Sequence, residues 1–271
     1  EHDFVENILH QELEHYPELC TPYRQYVRKR QEQRTQRRRQ EWHLADVVIA
    51  NSEFTKNSYA AAGLDVEKVR VVPYGAPPIC AEGIAGGTLE HKPIRFLWAG
   101  TFSIRKGAYY LLQAWKTLQP ETGVRLDVFG AMGLPDSLVH NVPDSVRLSG
   151  TVPRSQLYEH YRKADVLVFP TLCDGFGMVV TEAFAQGLPV ITTNRAGAAD
   201  LVRHGVNGLI VPAGDTEALK DALDWCITHR QELKVMRQAA LETAASWQWS
   251  DYRRVLIEKL LDGLKAAGYQ V

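Results

Sequence analysis

Short apolar segments alternate with amphipathic segments from residue 93 onward. The apolar segments have the length and the Val, Leu, Ile and Phe content of buried strands, and they lie at residues 94–99, 125–129, 147–149, 165–169, 189–192 and 208–211. The segments with helical spacing lie at residues 108–118, 155–163, 179–186, 216–229 and 231–245. Strands that alternate with helices form a parallel sheet with helices on both faces. We therefore predict an α/β fold with a Rossmann-like parallel sheet, which binds ligands at the carboxyl ends of its strands.

The segment before residue 93 predicts a second, incomplete unit of the same kind. Residues 46–50 and 68–72 are typical of buried strands, and the helix predicted at 53–62 lies between them. The predicted boundaries are 1–75 for the tail of an N-terminal Rossmann-like domain, 76–92 for a linker rich in Pro and Gly, 93–245 for the C-terminal domain, and 246–271 for a helix that packs back toward the N-terminal part. Because the chain opens inside a helical pattern and not with Met, we expect a further N-terminal portion before it.

Charge and cysteine content narrow the classes of function. The 271 residues carry a net charge of −1, which gives no reason to expect a nucleic-acid partner. None of the four cysteines is part of a C-x-x-C pair. Their scatter favours a reducing, cytoplasmic location over a disulfide framework. No apolar run approaches the ~18 residues that a membrane-spanning helix needs.

A basic run interrupts this even distribution of charge. Between Arg24 and Arg39 the chain has eight basic residues and one acid, Glu32, in a segment that predicts a long polar helix. Such a run is typical of a solvated helix face. It also suits peripheral contact with the acidic inner face of a membrane. Both interpretations stay open.

One loop with ligand-binding character follows the strand at 94–99. Gly100 permits close approach of a ligand, and Arg105 and Lys106 place positive charge beside a helix N-terminus. This combination suits a diphosphate, whose charge needs cationic donors where a leaving group departs. The loop has neither the Walker spacing nor G-x-G-x-x-G, and an ordinary strand-to-helix loop remains the alternative.

A second such loop follows the strand at 165–169. Gly175 and Gly177 let the backbone pass close to a ligand, and free N–H groups of the next helix point at whatever binds there. The carboxylate of Asp174 accepts hydrogen bonds from sugar hydroxyls in this interpretation, and Glu182 holds the two hydroxyls of a ribose. The alternative makes Asp174 a turn residue and Glu182 a first-turn acid favoured by the helix dipole.

Five short motifs in order resemble the retaining GT-B glycosyltransferases of family 4. They are Ile49 to Thr55, Val71 to Gly75, Asp174 to Gly177 with Glu182 and Ala183, Gly187 to Ile191, and Asn207 to Val211. The resemblance covers nearly all of residues 40–250. It implies a two-domain enzyme whose C-terminal domain holds a nucleotide sugar, with the acceptor site in the N-terminal domain.

The resemblance also implies roles for individual residues. Lys106 binds the donor diphosphate, Glu182 the ribose, and Asp174 with three backbone amides the donor sugar, so that Asp174 and Lys106 are the expected catalytic residues. The expected donor-binding residues are Gly100, Thr101, Arg105, Lys106, Val152, Asp174, Gly175, Phe176, Gly177, Met178, Val179 and Glu182. The amides belong to Phe176, Gly177 and Met178, and residues 150–152 contact the base.

Two positions depart from the family pattern. Asp174 stands where the family usually has Glu, and Thr101 stands where it usually has Arg directly after the glycine. Arg105 is the candidate to supply that missing charge. The expected length of a complete member also exceeds this chain, so most of the acceptor side is expected to be absent from it.

The expected function is transfer of a sugar from a UDP- or GDP-sugar to a glycan, lipid or other acceptor with retention at the anomeric carbon. The family implies no metal and no cofactor, and the nucleotide sugar is a substrate. One alternative is a nucleotide-binding module that is inactive without a partner or a further domain. Another is a nucleotide-sugar epimerase of the same shape.

Overall fold

A computed structural model of the protein describes residues 2–19, 31–79, 93–140 and 142–271. Several sequence predictions fall outside these ranges: Cys20, Cys80, the basic residues 24 and 28–30, and the linker from residue 80 to residue 92.

The described elements alternate as the sequence predicts. In chain order they are α1 (His2–His15), α2 (Gln31–Leu44), β1 (Val48–Ala50), α3 (Glu53–Ala61), β2 (Val69–Val71), β3 (Arg95–Ala99), β4 (Phe102–Ser103), α4 (Ala108–Leu118), β5 (Arg125–Phe129), β6 (Met132–Gly133), α5 (Asp136–Val139), β7 (Val146–Leu148), α6 (Arg154–Lys163), β8 (Val166–Phe169), α7 (Met178–Ala185), β9 (Val190–Thr193), β10 (Gly208–Val211), α8 (Thr216–Thr228), α9 (Arg230–Ser246) and α10 (Trp249–Ala266), with short 3₁₀ turns at Pro17–Leu19, Ile104–Lys106 and Gly197–Leu201. The predicted strands and helices agree with these to within about two residues at most ends. The short elements β4, β6 and α5 were not predicted, because they contain too few residues for a hydrophobic period to show.

Six of the strands form one parallel sheet in the order β10-β9-β8-β3-β5-β7. Side chains along each strand point alternately to its two faces. Phe96 and Trp98 of β3 therefore pack with α4 and α8, while Leu97 and Ala99 pack with α6 and α7. The predicted α/β fold with helices on both faces is confirmed.

The strand order reverses between β3 and β8, and we call this position the switch point of the sheet. From β3 the chain builds outward to β5 and β7, then returns beside β3 and continues to β9 and β10. The loops after β3 and β8 consequently leave the sheet on either side of a crevice, which is where open α/β sheets bind ligands. These are the two loops that the sequence singled out.

Backbone contacts hold the two loops against each other. The carbonyl oxygen of Arg105 accepts hydrogen bonds from the Leu172 amide at 2.9 Å and from Thr171 Oγ1 at 3.0 Å. Gly107 has φ +86°, and a Cβ atom placed on it would lie 1.9 Å from the carbonyl oxygen of Pro170. Only glycine allows this approach, so the spacing of the loops depends on Gly107.

The N-terminal part contributes a smaller sheet. Strands β1 and β2 pair in parallel, with Val48 opposite Val69, over a cluster that contains Trp42 and Ala50. Helix α10 reaches this unit, since a Cβ on Gly263 would meet the side chain of Val47 at 2.8 Å.

Helix α1 does not pack on the smaller sheet; it packs on the helices that cover the six-stranded sheet. Its buried residues Val5, Ile8 and Leu9 join the cluster that contains Leu111 of α4, and the hydroxyl of Tyr110 donates to Glu12. Among the described residues, no helix combines the length and the apolar content needed to cross a membrane.

Gly107→Ala is expected to destabilise the protein more than Gly205→Ala. Both glycines have positive φ, but a Cβ built on Gly205 meets no atom within 4 Å beyond the glycine and its two chain neighbours. Gly205→Ala should cost about 1–2 kcal/mol from backbone strain alone, whereas Gly107→Ala adds a clash with Pro170. Urea unfolding of both variants measures the difference. Equal losses of stability would contradict the argued role of Gly107.

Candidate functional site

Two cations of the loop after β3, the first loop, lie against one carboxylate of the loop after β8, the second loop. The ammonium of Lys106 contacts Asp174 Oδ2 as an ion pair, and Arg105 Nη1 lies 3.5 Å from the same oxygen. Arg105 Nη1 also donates to the carbonyl oxygen of Cys173 at 3.2 Å. The side chains of Lys106 and Asp174 are 20% and 13% exposed. Because two cations face one anion, the cluster keeps one unbalanced positive charge.

Burial governs the electrostatics of Lys106. Loss of water lowers the pKa of its ammonium, and the nearby Arg105 lowers it further, while Asp174 raises it without reversing the shift. Lys106 Nζ also lies 5.0 Å from the centre of the Phe169 ring, within the range of a cation–π contact. A partly desolvated cation of this kind interacts strongly with a phosphate that excludes the remaining water.

The glycines of the second loop shape the start of α7. Gly177 has φ +90°, and a Cβ on it would lie 2.5 Å from the Phe169 ring. Gly177 takes the N-cap position, and no side chain caps α7 there. The amide of Phe176 already donates to Asp174 Oδ1 at 3.2 Å. The other two amides expected to hold a sugar belong to Gly177 and Met178. They lie at the N-terminus of α7, where no side chain caps the helix and the helix dipole has its positive end.

Glu182 lies in α7 with two protein partners. Arg154 Nη2 donates to its Oε1 at 2.6 Å, and the hydroxyl of Tyr161 donates to its Oε2 at 3.2 Å. Burial raises the pKa of Glu182, and the opposing effects of Arg154 and Tyr161 do not cancel this shift. Since the Arg154 side chain is 63% exposed, it can turn into water, and Glu182 Oε1 then becomes available to another hydrogen-bond donor.

The remaining predicted residues are less tightly arranged. Gly100 and Thr101 are exposed, and Gly100 has φ +112° with open space around it. Val152 and Val179 are half-buried and pack against the apolar cluster behind α7. The structure thus brings Arg105, Lys106 and Asp174 into one cluster, with the loop residues Gly175 to Met178 adjoining it along the chain.

Sequence reasoning did not find four residues that touch this region. Arg154 and Tyr161 hold Glu182 from α6, and Ser52 and Thr55 hold the second loop from α3. Ser52 lies 123 positions from its partner in the loop. No local period links such pairs. The motif that contains Asn51 and Ser52 marked a helix start, and only the tertiary fold shows what that start faces.

The fold and these contacts define an α/β protein with a cluster of charged side chains and a helix N-terminus at the switch point of its sheet. Residues 93–229, about half of the chain, match the family described as glycosyl transferases group 1, and the chain belongs to that family. The D-inositol 3-phosphate glycosyltransferase of Xylanimonas cellulosilytica is 32% identical in an alignment of 201 residues that covers 66% of this chain and 48% of that protein. The resemblance to GT-B glycosyltransferases of family 4 is thereby confirmed.

Solved structures agree on the fold. The sucrose-phosphate synthase of Thermosynechococcus elongatus is 25% identical and has a TM-score of 0.67 over 83% of this chain and 59% of its own. Alr3699/HepE of Anabaena, solved in complex with UDP and glucose, is 22% identical with a TM-score of 0.66 over 80% of this chain and 63% of its own. The chain spans about half the length of the curated relatives it matches.

Glu182→Gln is expected to raise the melting temperature near neutral pH. Because the folded state raises the pKa of this carboxyl, its ionised form costs stability above that pKa, and the cost disappears as the pH falls through it. The gain of the variant over the wild type should therefore be present at pH ~7–8 and shrink toward pH ~4, near the reference pKa of glutamate. Thermal unfolding across this range measures it.

Glu258→Gln is the matched control, since Glu258 is an exposed carboxylate with an arginine partner, Arg254. It removes the same charge from an exposed position, so it reports how far the loss of a carboxylate alone changes the melting temperature. A gain for Glu182→Gln that grows toward acidic pH would contradict the assigned sign.

Proposed function

We propose that this chain forms the donor side of a retaining glycosyltransferase, which takes a sugar from a UDP- or GDP-sugar. The observation that carries the proposal is the pair of cations, Arg105 and Lys106, held against Asp174 at the switch point of the sheet. That position lies beside the uncapped start of α7. Membership of the family and the UDP bound to Anabaena HepE support the same ligand class.

The proposed roles follow from charge. Lys106 and Arg105 neutralise the diphosphate as the bond between the anomeric carbon and the phosphate oxygen breaks. The acceptor hydroxyl forms the new bond on the same face and passes its proton to the departing phosphate oxygen, which preserves the anomeric configuration. Asp174 orients the sugar through its hydroxyls. No step in this proposal uses a metal or a cofactor.

Binding of the donor must rearrange contacts in the free site. A diphosphate draws Lys106 and Arg105 from Asp174, and the released oxygen can then accept a sugar hydroxyl. The ribose replaces Arg154 on Glu182, so two acceptors that face protein donors in the free chain face substrate hydroxyls instead. Exchange of one donor for another keeps the buried carboxylates satisfied.

We also propose a glycan or lipid as the acceptor, with peripheral membrane contact through α2. This helix presents Arg34, Arg37 and Arg39 on exposed positions. Arg37 pairs with Glu41 and is still 80% exposed. Each such arginine near an anionic lipid surface contributes about 1 kcal/mol of attraction.

Titration of UDP and GDP into the protein by calorimetry tests the donor site. The wild type should bind one of them, and Lys106→Ala should weaken that binding at least about tenfold, the scale of a charge-assisted hydrogen bond. Lys116→Ala is the matched control, because Lys116 is exposed in the last turn of α4. Failure of the wild type to bind either nucleotide, or equal affinities for the two lysine variants, would overturn the donor site.

Co-sedimentation with vesicles tests the membrane contact. The protein should sediment with vesicles that contain phosphatidylserine and not with pure phosphatidylcholine, and the combined variant Arg34→Gln, Arg37→Gln, Arg39→Gln should lose most of this binding. Added salt should weaken it as well. Binding that is independent of anionic lipid would remove α2 from the proposal.

A further inference from the structure

The carbonyl of Gly175 accepts hydrogen bonds from a distant part of the chain. Ser52 Oγ donates to the Gly175 oxygen at 2.6 Å, and Thr55 Oγ1 donates to it at 3.2 Å. Both hydroxyl residues are buried at the start of α3, with Ser52 0% exposed. A loop proposed to bind the donor sugar is therefore held by the N-terminal part of the protein.

The hydroxyl of Ser52 both caps α3 and bonds to the loop. Ser52 has extended backbone and is the N-cap of α3, where its Oγ accepts from the Thr55 amide at 3.0 Å. The hydroxyl hydrogen remains free to point at Gly175, because a hydroxyl has one donor and two acceptor positions. The cap thus fixes the direction of the bond to the loop.

The other side of the loop is held by the turn after β9. The amide of Gly197 donates to the Asp174 carbonyl at 2.9 Å, and the amide of Ala198 donates to the Phe176 carbonyl at 2.6 Å. A Cβ on Gly197 would lie 1.9 Å from the Gly175 oxygen and 2.5 Å from Ser52 Oγ. The Gly175 peptide is consequently clamped between α3 and this turn with no spare room.

We infer that Ser52 is a positioning residue for the donor sugar, an assignment that rests on the proposed function. The carbonyl of Gly175 and the N–H of Phe176 belong to one planar peptide group. That N–H is one of the three expected to hold the sugar, and it donates to Asp174 Oδ1 at 3.2 Å. Tilting the peptide redirects the Phe176 N–H and shifts the carboxylate that it holds. Ser52 acts through this peptide, whereas Lys106 and Glu182 contact the diphosphate and ribose with their own side chains. Its loss should therefore reduce what the sugar adds to binding and spare the nucleotide.

Calorimetry on the whole chain tests this with UDP, UDP-glucose, GDP and GDP-mannose as probes. Ser52→Ala should lower the extra affinity of the nucleotide sugar over its nucleotide about tenfold, the scale of one hydrogen bond, and change the nucleotide's own affinity less than about twofold. Thr55→Val should have a smaller effect in the same direction, because Thr55 Oγ1 has a nearer acceptor in Asn51 Oδ1 at 2.9 Å.

Ser58→Ala is the matched control. Ser58 is buried in the same helix and donates to the Thr55 carbonyl at 2.6 Å, without touching the loop. It should leave the sugar's contribution intact, and it should lower the melting temperature less than Ser52→Ala, because Ser58 neither caps α3 nor bonds the loop. If Ser52→Ala fails to fold, Thr55→Val compared with Ser58→Ala decides the question.

The outcomes separate the two proposals. A wild type that binds no nucleotide overturns the proposed function itself, before any variant is considered. A wild type that binds both nucleotide and nucleotide sugar, with Ser52→Ala and Thr55→Val indistinguishable from Ser58→Ala, overturns the role of Ser52 alone. Equal losses of nucleotide and nucleotide-sugar affinity in Ser52→Ala would mean that Ser52 is only a structural cap, and this result would also overturn its role in positioning the sugar.

Discussion

The approach of Gly107 to the carbonyl of Pro170 determines how near the two loops come at the switch point of the sheet. A side chain at residue 107 would push them apart, and the bonds that Arg105 accepts from Thr171 and Leu172 would be lost with that approach. The ion pair between Lys106 and Asp174 is a consequence of this spacing and not its cause. Partly buried ion pairs contribute little net stability, so the backbone contacts keep the charged groups in place for a ligand.

Burial affects two charged side chains of the site in the same way. Lys106 and Glu182 are both partly buried, and burial shifts the pKa of each in the direction that favours the neutral side chain. Each also has a protein partner of opposite charge, Asp174 for the lysine and Arg154 for the glutamate. In the proposed function, the diphosphate and the hydroxyl groups of a nucleotide sugar offer each of these side chains a replacement partner. The free energy needed to remove water from the two side chains is then part of folding and is not required again on binding.

The sequence predicted the sheet and its loops because those signals are local. The alternation of apolar strands and helices requires only neighbouring residues, and it located β3, β8 and the glycines between strand and helix. The cationic character of Arg105 and Lys106 was readable in the same way. The contacts of Arg154 with Glu182 and of Ser52 with Gly175 were not, since they join segments 28 and 123 positions apart. The place of α1 on α4 is another such case, because an amphipathic face shows that it will be buried but not against what.

The bond from Ser52 to Gly175 limits where this chain can be divided. The match to the family begins at residue 93, and a unit cut there would hold every motif from β3 to β10. It would nevertheless leave the Gly175 carbonyl without its buried donors and uncover the apolar surface under Val5, Ile8 and Leu9. A chimaera that joins residues 93–271 to the N-terminal half of a relative must therefore also transfer α1 and the start of α3. The unit that can be recombined is larger than residues 93–229, which match the family.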